Sequence, residues 1–127
     1  MPKRAIETPK AKVVGPYSMA IEAGDYVYLS GQTPMDPATG KLVQADIGAE
    51  TKQCLENLKN VLEAAELTFA HVVKANVFLT NMGDFAAMNA VYATYFPAPF
   101  PARSTVAVAA LPLGARVEIE LVAYRGK

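Results

Sequence analysis

Apolar residues recur every three or four positions in two stretches of the chain, a spacing that is typical of helices with one buried face. The first stretch predicts a helix over residues 48–66. Asp46 is placed to cap its amino end, and Glu50 lies in the first turn, where a negative charge interacts favourably with the helix dipole. The positions of its apolar face are Ile47, Thr51, Leu55, Leu58, Val61, Leu62 and Ala65.

The second stretch predicts a shorter helix over residues 84–96. Pro97, Pro99 and Pro101 follow it and end it, because proline lacks the backbone N–H and restricts the residue before it. The predicted inward stripe consists of Phe85, Met88, Asn89, Tyr92, Tyr95 and Phe96.

Short runs rich in β-branched and aromatic residues predict strands in the rest of the chain. Ala23-Gly24-Asp25 separates the first two runs, and its Gly and Asp favour a tight hairpin turn. Residues 34–40 contain two prolines and a glycine and are predicted to form a loop. The predicted strands cover residues 18–22, 26–30, 72–80, 104–109 and 116–124, and residues 4–8 are a candidate for one more.

The element order ββαβαββ predicts an α/β sandwich in which one mixed sheet has two helices on one face. The other face must then be polar or be buried against a partner. Apolar residues of the last two strands are expected to line that face, together with part of the first hairpin. We therefore expect a sheet face that associates with other copies of the chain; the apolar residues assigned to it are Val106, Val108, Val117, Ile119 and Leu121.

Composition indicates one domain over residues 1–127, of which 52% are hydrophobic. The 12 Lys and Arg residues balance the 12 Asp and Glu residues, so no electrostatic footprint for nucleic acid or an anionic membrane is expected. The single cysteine cannot form an internal disulfide, which indicates a reducing compartment. The first residues are not followed by the apolar run of a signal peptide, and no stretch is apolar enough to cross a bilayer. These features predict a cytoplasmic protein.

Metal and covalent chemistry find no support among the residue types. One His and one Cys cannot supply a typical zinc ligand set. His71 precedes a strand and is interpreted as a surface residue, and Cys54 lies near the apolar stripe of the first helix as an inert buried thiol. No glycine-rich phosphate loop is present. We therefore expect neither a metal nor a cofactor.

Three features are candidates for chemistry, each with an ordinary structural alternative. Arg103 begins a strand and is either a solvated residue or a planar fork that binds a carboxylate through two hydrogen bonds. Glu118 and Glu120 share one face of the last strand, which is either half solvated or places a carboxylate beside a bound water. Asn89 is an amide on an apolar stripe and either bonds neighbouring backbone or shapes a pocket.

Several motifs, in order along nearly the whole chain, resemble the RidA/YjgF family of reactive intermediate deaminases. The segment Pro101-Ala102-Arg103-Ser104-Thr105-Val106 and its distant partner Val117-Glu118-Ile119-Glu120 carry the resemblance most strongly. The other matching segments are Gly15-Pro16-Tyr17-Ser18, Val27-Tyr28-Leu29-Ser30-Gly31-Gln32, Gln53 with Asn57 and Leu58, Lys74 with Leu79, Asp84-Phe85, Asn89 to Tyr92, and Leu111-Pro112.

The resemblance implies a chorismate-mutase-like fold and a homotrimer whose sheets face inward as a central barrel, with active sites between subunits. It implies cofactor-free hydrolysis of 2-aminoacrylate and related enamines, through their imines, to 2-keto acids and ammonia. Pyridoxal-phosphate enzymes such as threonine dehydratase release these compounds. Arg103 is then expected to bind the substrate carboxylate, and Glu118 to position or activate water. Gly31 is expected to add its backbone N–H, with Tyr17, Ser30 and Asn89 lining the pocket.

Thr105 occupies a position where many members of the family carry cysteine, which favours non-covalent catalysis and changes one pocket contact. Other functions remain open at this point: a deaminase for a larger amino-dienoate such as aminomuconate, a module that senses 2-keto acids without turnover, a ribonuclease, or a holdase. Convergence of Arg103 and Glu118 on one small pocket would favour the enzyme.

Overall fold

A computed structural model describes residues 2–126 of the chain. Two helices and eight strands, with short 3-10 turns between some of them, make up the fold. The helices are α1 (Ile47–Ala64) and α2 (Phe85–Tyr92). The strands are β1 (Arg4–Ile6), β2 (Ala20–Ala23), β3 (Tyr26–Gln32), β4 (Met35–Asp36), β5 (Lys41–Leu42), β6 (Val72–Leu79), β7 (Ala102–Ala107) and β8 (Val117–Tyr124).

Six of these strands form one sheet in the order β1-β2-β3-β8-β6-β7. Neighbouring strands are antiparallel except β6 and β7, which are parallel and are connected through α2. Helix α1 packs on β3 and β8, and α2 packs against α1, so both helices lie on the same side of the sheet. The predicted mixed sheet with two helices on one face is confirmed.

The core lies between α1 and the sheet. Every predicted apolar position of the first helix is buried, because these residues meet alternate residues of the strands. Asp46 caps α1 as predicted, its Oδ1 accepting a hydrogen bond from the Ala49 N–H at 2.8 Å. Cys54 is fully buried, and burial raises the pKa of its thiol well above the ordinary value. His71 is partly exposed, and its Nδ1 accepts a hydrogen bond from the Thr68 N–H.

Two predicted boundaries are wrong. Helix α2 ends at Tyr92 rather than at residue 96, and the backbone turns through residues 93–95 before the prolines. Residues 34–40 are not wholly a loop, because Met35–Asp36 pairs with Lys41–Leu42 in a small hairpin. Asp36 stabilises its turn by accepting a hydrogen bond from the Ala38 N–H, and a positive φ at Gly40 completes the reversal.

The predicted composition of the uncovered sheet face is also partly wrong. Val117, Ile119 and Leu121 face the helices and are almost completely buried within the chain. Side chains alternate along a strand, so Glu118 and Glu120 lie on the uncovered face instead. The exposed large apolar residues of that face are Tyr26, Tyr28, Val106 and Tyr124.

Candidate active site

Arg103 lies near the start of β7, at the edge of the sheet, where its side chain reaches α2. Its Nη1 donates a hydrogen bond to Asn89 Oδ1 at 2.7 Å, and its Cζ lies 4.7 Å from the centroid of the Tyr92 ring. The Phe85 ring lies 5.6 Å away. The guanidinium is therefore held by an amide and two aromatic rings, without a carboxylate partner among residues 2–126.

A cavity of about 310 Å³ lies beside this arginine. Its walls are mostly apolar, and Asn89 and Arg103 supply its polar groups. The lining residues are Asn89, Tyr92, Ala93, Phe100, Pro101 and Arg103. A guanidinium that keeps unused donors in a mostly apolar cavity is suited to binding a small carboxylate, because water competes less for it there.

A second cluster forms where the pairing of β3 with β8 is interrupted. Leu29 pairs with Leu121 and Gln32 with Ile119, so two residues of β3, Ser30 and Gly31, stand opposite Glu120 alone. This extra residue is a β-bulge, a feature that re-aims neighbouring side chains. Here the bulge places the Gly31 backbone next to the carboxylate of Glu118. The following residue, Gln32, is buried.

The cavity at this bulge has a volume of about 430 Å³. Tyr17 forms part of its wall, its Oη accepting a hydrogen bond from the Val14 N–H at 3.3 Å. The Ser30 hydroxyl donates to the Ser18 carbonyl at 2.6 Å and so ties this segment to β3. The complete lining is Val14, Tyr17, Ser30, Gly31, Thr33, Pro112, Leu113, Glu118 and Glu120.

Glu118 is a partly buried carboxylate in the wall of this cavity. Burial raises the pKa of Glu118, and the negative charge of Glu120 raises it further. Glu120 itself is held in place by the amide of Asn76, whose Nδ2 donates a hydrogen bond to Glu120 Oε2 at 3.0 Å. A carboxyl group that binds protons more readily than an ordinary glutamate is better suited to exchange a proton with a reacting group near neutral pH.

Arg103 and Glu118 lie on opposite faces of the sheet. Arg103 pairs in register with Ala75 and Glu118 with Phe78. Residues in register share a face, and positions 75 and 78 point to opposite sides because side chains alternate along a strand. The two cavities accordingly have no lining residue in common. Within one chain the structure brings Asn89 to Arg103, and Tyr17, Ser30 and Gly31 to Glu118, as two separate groups.

Thr105 follows Arg103 by two positions and points to the same side of the sheet. Its Oγ1 is buried and has no hydrogen-bond partner among the described residues, and it does not line the cavity beside Arg103. Sequence reasoning assigned no role to Tyr92 or Phe100, both of which line that cavity. The signal for Tyr92 was its spacing from Phe85 and Asn89 on one helix face, which was interpreted only as core packing.

The described part of the chain contains no group of three or more His, Cys, Asp or Glu side chains arranged to hold a metal ion. Among the same residues no helix combines the length and apolar character needed to cross a membrane.

Known proteins are similar to this chain in sequence and in fold. A family model described as Endoribonuclease L-PSP matches residues 7–125. The chain is 49% identical to a Capra hircus protein named 2-iminobutanoate/2-iminopropanoate deaminase, over 98% of this chain and 91% of that one. The structure of RidA from an Antarctic Psychrobacter superimposes with a TM-score of 0.92 at 45% identity, covering 95% of this chain and 98% of that one. Escherichia coli TdcF with bound serine gives a TM-score of 0.92 at 38% identity, covering 97% and 99%.

Fold and site define an α+β protein with two helices on one face of a mixed sheet and an arginine cavity at the sheet edge. The chain belongs to the RidA/YjgF family.

Proposed function

We propose that this chain hydrolyses small 2-imino acids, the tautomers of 2-aminoacrylate and related enamines, to 2-keto acids and ammonia without a cofactor. The observation that carries the proposal is the cavity beside Arg103, where one edge of the guanidinium has no hydrogen-bond partner among residues 2–126. Relatives of this chain are named imine deaminases, which supports the reaction class. The structure of TdcF with bound serine supports binding of a small amino-acid-like ligand by this fold.

In the proposed reaction, Arg103 binds the substrate carboxylate, and the backbone N–H of Gly31 donates a further hydrogen bond to that carboxylate. The protonated imine is already electrophilic, so the protein needs mainly to orient it and to supply water. Glu118 accepts a proton from a water molecule as the water oxygen bonds to the imine carbon, which gives a carbinolamine. Glu118 then returns this proton to the amino nitrogen. The C–N bond breaks, the hydroxyl proton passes to the leaving ammonia, and a 2-keto acid and ammonium result.

We further propose a homotrimer whose active sites lie between subunits. Arg103 and Glu118 face opposite sides of one sheet, so a site that uses both needs a second copy. The tyrosines and Val106 on the uncovered face supply apolar surface for that contact. Sedimentation equilibrium is expected to give the mass of a trimer at micromolar concentration. A monomer that retains full activity would contradict the shared site.

The activity is tested with imino acids generated in the cuvette from several amino-acid precursors, the unreacted imine being trapped by semicarbazide. The purified protein is expected to compete with the trap and to accelerate formation of the keto acid. Arg103→Ala should lower kcat/KM by about 100-fold or more, because it removes charge-assisted hydrogen bonds worth roughly 1.5–3 kcal/mol each. Arg103→Lys is the matched control, since it keeps the charge and loses the fork.

The same experiment separates the alternatives. Full activity of Arg103→Ala in an intact assembly would refute the carboxylate role. Absence of turnover for every precursor, with saturable binding of pyruvate, would favour a sensing module over an enzyme. Turnover confined to a large amino-dienoate would indicate the aminomuconate-type reaction. An RNA-cleavage assay in parallel tests the activity that the family description names.

A further inference from the structure

We infer that Tyr92 is a positioning residue for Arg103: its ring holds the guanidinium so that the edge carrying Nε and Nη2 remains available to a carboxylate. The inference rests on the proposed function, in which Arg103 binds the substrate. The family resemblance gave Tyr92 no role, and its position on the inward stripe of α2 suggested only core packing.

One side of α2 forms a cradle for the arginine, which consists of Phe85, Asn89 and Tyr92. These positions are separated by four and three residues, so they lie along one helix face. Phe85 and Tyr92 place their rings 5.6 and 4.7 Å from Arg103 Cζ, and Asn89 accepts the hydrogen bond from Nη1. A planar cation at these distances is attracted to the face of an aromatic ring.

The two kinds of contact constrain different motions of the guanidinium. The Tyr92 ring, 4.7 Å from Cζ, limits movement of the guanidinium toward α2, and the bond from Nη1 to Asn89 limits its rotation. A guanidinium has five N–H donors, and the contact from Nη1 leaves the edge made by Nε and Nη2 unpaired among residues 2–126. That edge matches the two oxygens of a carboxylate, so the cradle prepares the arginine before substrate arrives.

The Tyr92 ring is itself fixed by the core. Tyr92 is 5% exposed, and its ring packs against Phe96 with centroids 4.5 Å apart. Its hydroxyl is buried and has no hydrogen-bond partner in the described part of the chain. Contact with Arg103 is therefore made by the ring and not through the hydroxyl, which predicts that phenylalanine can replace tyrosine at this position.

Steady-state kinetics of Tyr92→Phe, Tyr92→Leu and Tyr92→Met, with calorimetric titration of pyruvate, test this role. Loss of the ring is expected to raise KM and the pyruvate Kd by roughly tenfold with kcat nearly unchanged, because a contact made equally in the ground and transition states is lost. Tyr92→Phe is expected to restore both constants. Tyr92→Met keeps much of the apolar volume and serves where Tyr92→Leu does not fold.

Tyr95→Leu is the matched control, because it removes a ring from the adjacent turn, whereas the rings near the Arg103 guanidinium are those of Phe85 and Tyr92. It is expected to lower stability and leave KM unchanged. Wild-type KM and Kd in both ring-deleted variants would overturn the positioning role. If Arg103→Ala is inactive in that case, only this inference fails, whereas an active Arg103→Ala removes the proposed function as well.

Discussion

Replacing Gly31 by alanine places one methyl group where the carboxylate of Glu118 now lies. A Cβ built on Gly31 falls 2.0 Å from Glu118 Oε2 and 2.8 Å from its Cδ. The oxygen must retreat by about 1.4 Å to restore an ordinary contact of 3.4 Å. Because Glu118 is a flexible side chain, it can move and the backbone can stay. The substitution therefore displaces the Glu118 carboxylate, which is proposed to accept a proton from the attacking water.

The expected losses in activity and stability differ greatly in size. Misplacing a catalytic group by about 1 Å costs on the order of 100-fold in rate. Arg103 is on the other face of the sheet and is untouched, and alanine keeps the backbone N–H of position 31, so this loss is expected in kcat with little change in KM. The free energy of unfolding should fall by only about 1 kcal/mol, the lower end of the overpacking range, since the Gly31 backbone lies outside the left-handed region.

The measurement combines the imine assay with urea unfolding of the wild type, Gly31→Ala and Gly24→Ala. Gly24 is the matched control because its added methyl meets nothing within 4 Å, while its φ of +60° strains the backbone. That variant should lose stability and keep its kcat. An alanine at position 31 that turns over at the wild-type rate would refute the reasoning, since the close contact with Glu118 would then have no consequence for catalysis.

Two further predictions concern charges. Burial and the charge of Glu120 raise the pKa of Glu118, so the protonated form stabilises the fold at acidic pH, and this stabilisation is lost as the pH rises through the raised pKa. Glu118→Gln should be inactive, but at neutral pH it should melt at a higher temperature than the wild type. This difference in melting temperature should vanish in acid. An equal difference at all pH values would contradict the prediction. Arg116→Ala leaves the buried Glu50 carboxylate without its 2.7 Å partner. Because Arg116 itself is 45% exposed, the free energy of unfolding measured in urea should fall by about 2 kcal/mol, less than for a fully buried pair. Arg4→Ala breaks an exposed pair with Glu22, which keeps its contact with Arg125, and should lower stability much less than Arg116→Ala; equal losses would show that burial does not set the difference.

Periodicity predicted both helices and the main strands, because a buried helix face and a half-buried strand impose periods that a single sequence displays. The end of α2 was missed because Tyr95 and Phe96 continue the apolar spacing, although they pack from a turn and not from a helix. The uncovered sheet face was assigned wrongly since Val117 and Ile119 were read as apolar surface, although their alternation with Glu118 already placed them on the other side.

The sequence named candidate residues, but it did not show how they are arranged. Asn89 and Arg103 are 14 residues apart, and only the crossover from α2 to β7 brings them together. The bulge at Ser30 and Gly31 leaves no mark in the hydrophobic pattern, so the contact of Gly31 with Glu118 could not be foreseen from sequence. Tyr92 was predicted to lie on the inward stripe of α2, but helical spacing alone does not show that the guanidinium of Arg103 packs against its ring.

The placement of Arg103 and Glu118 on opposite faces has a consequence for mixed populations of chains. If a working site joins the arginine of one copy to the glutamate of the next, each active site needs residues from two chains. Loss of Glu118 in one copy then inactivates the site that contains Arg103 of its neighbour. Two variants, one lacking Arg103 and the other lacking Glu118, would each be inactive when assembled alone. When such chains co-assemble, some boundaries regain both groups, so the mixture acquires an activity that neither variant has.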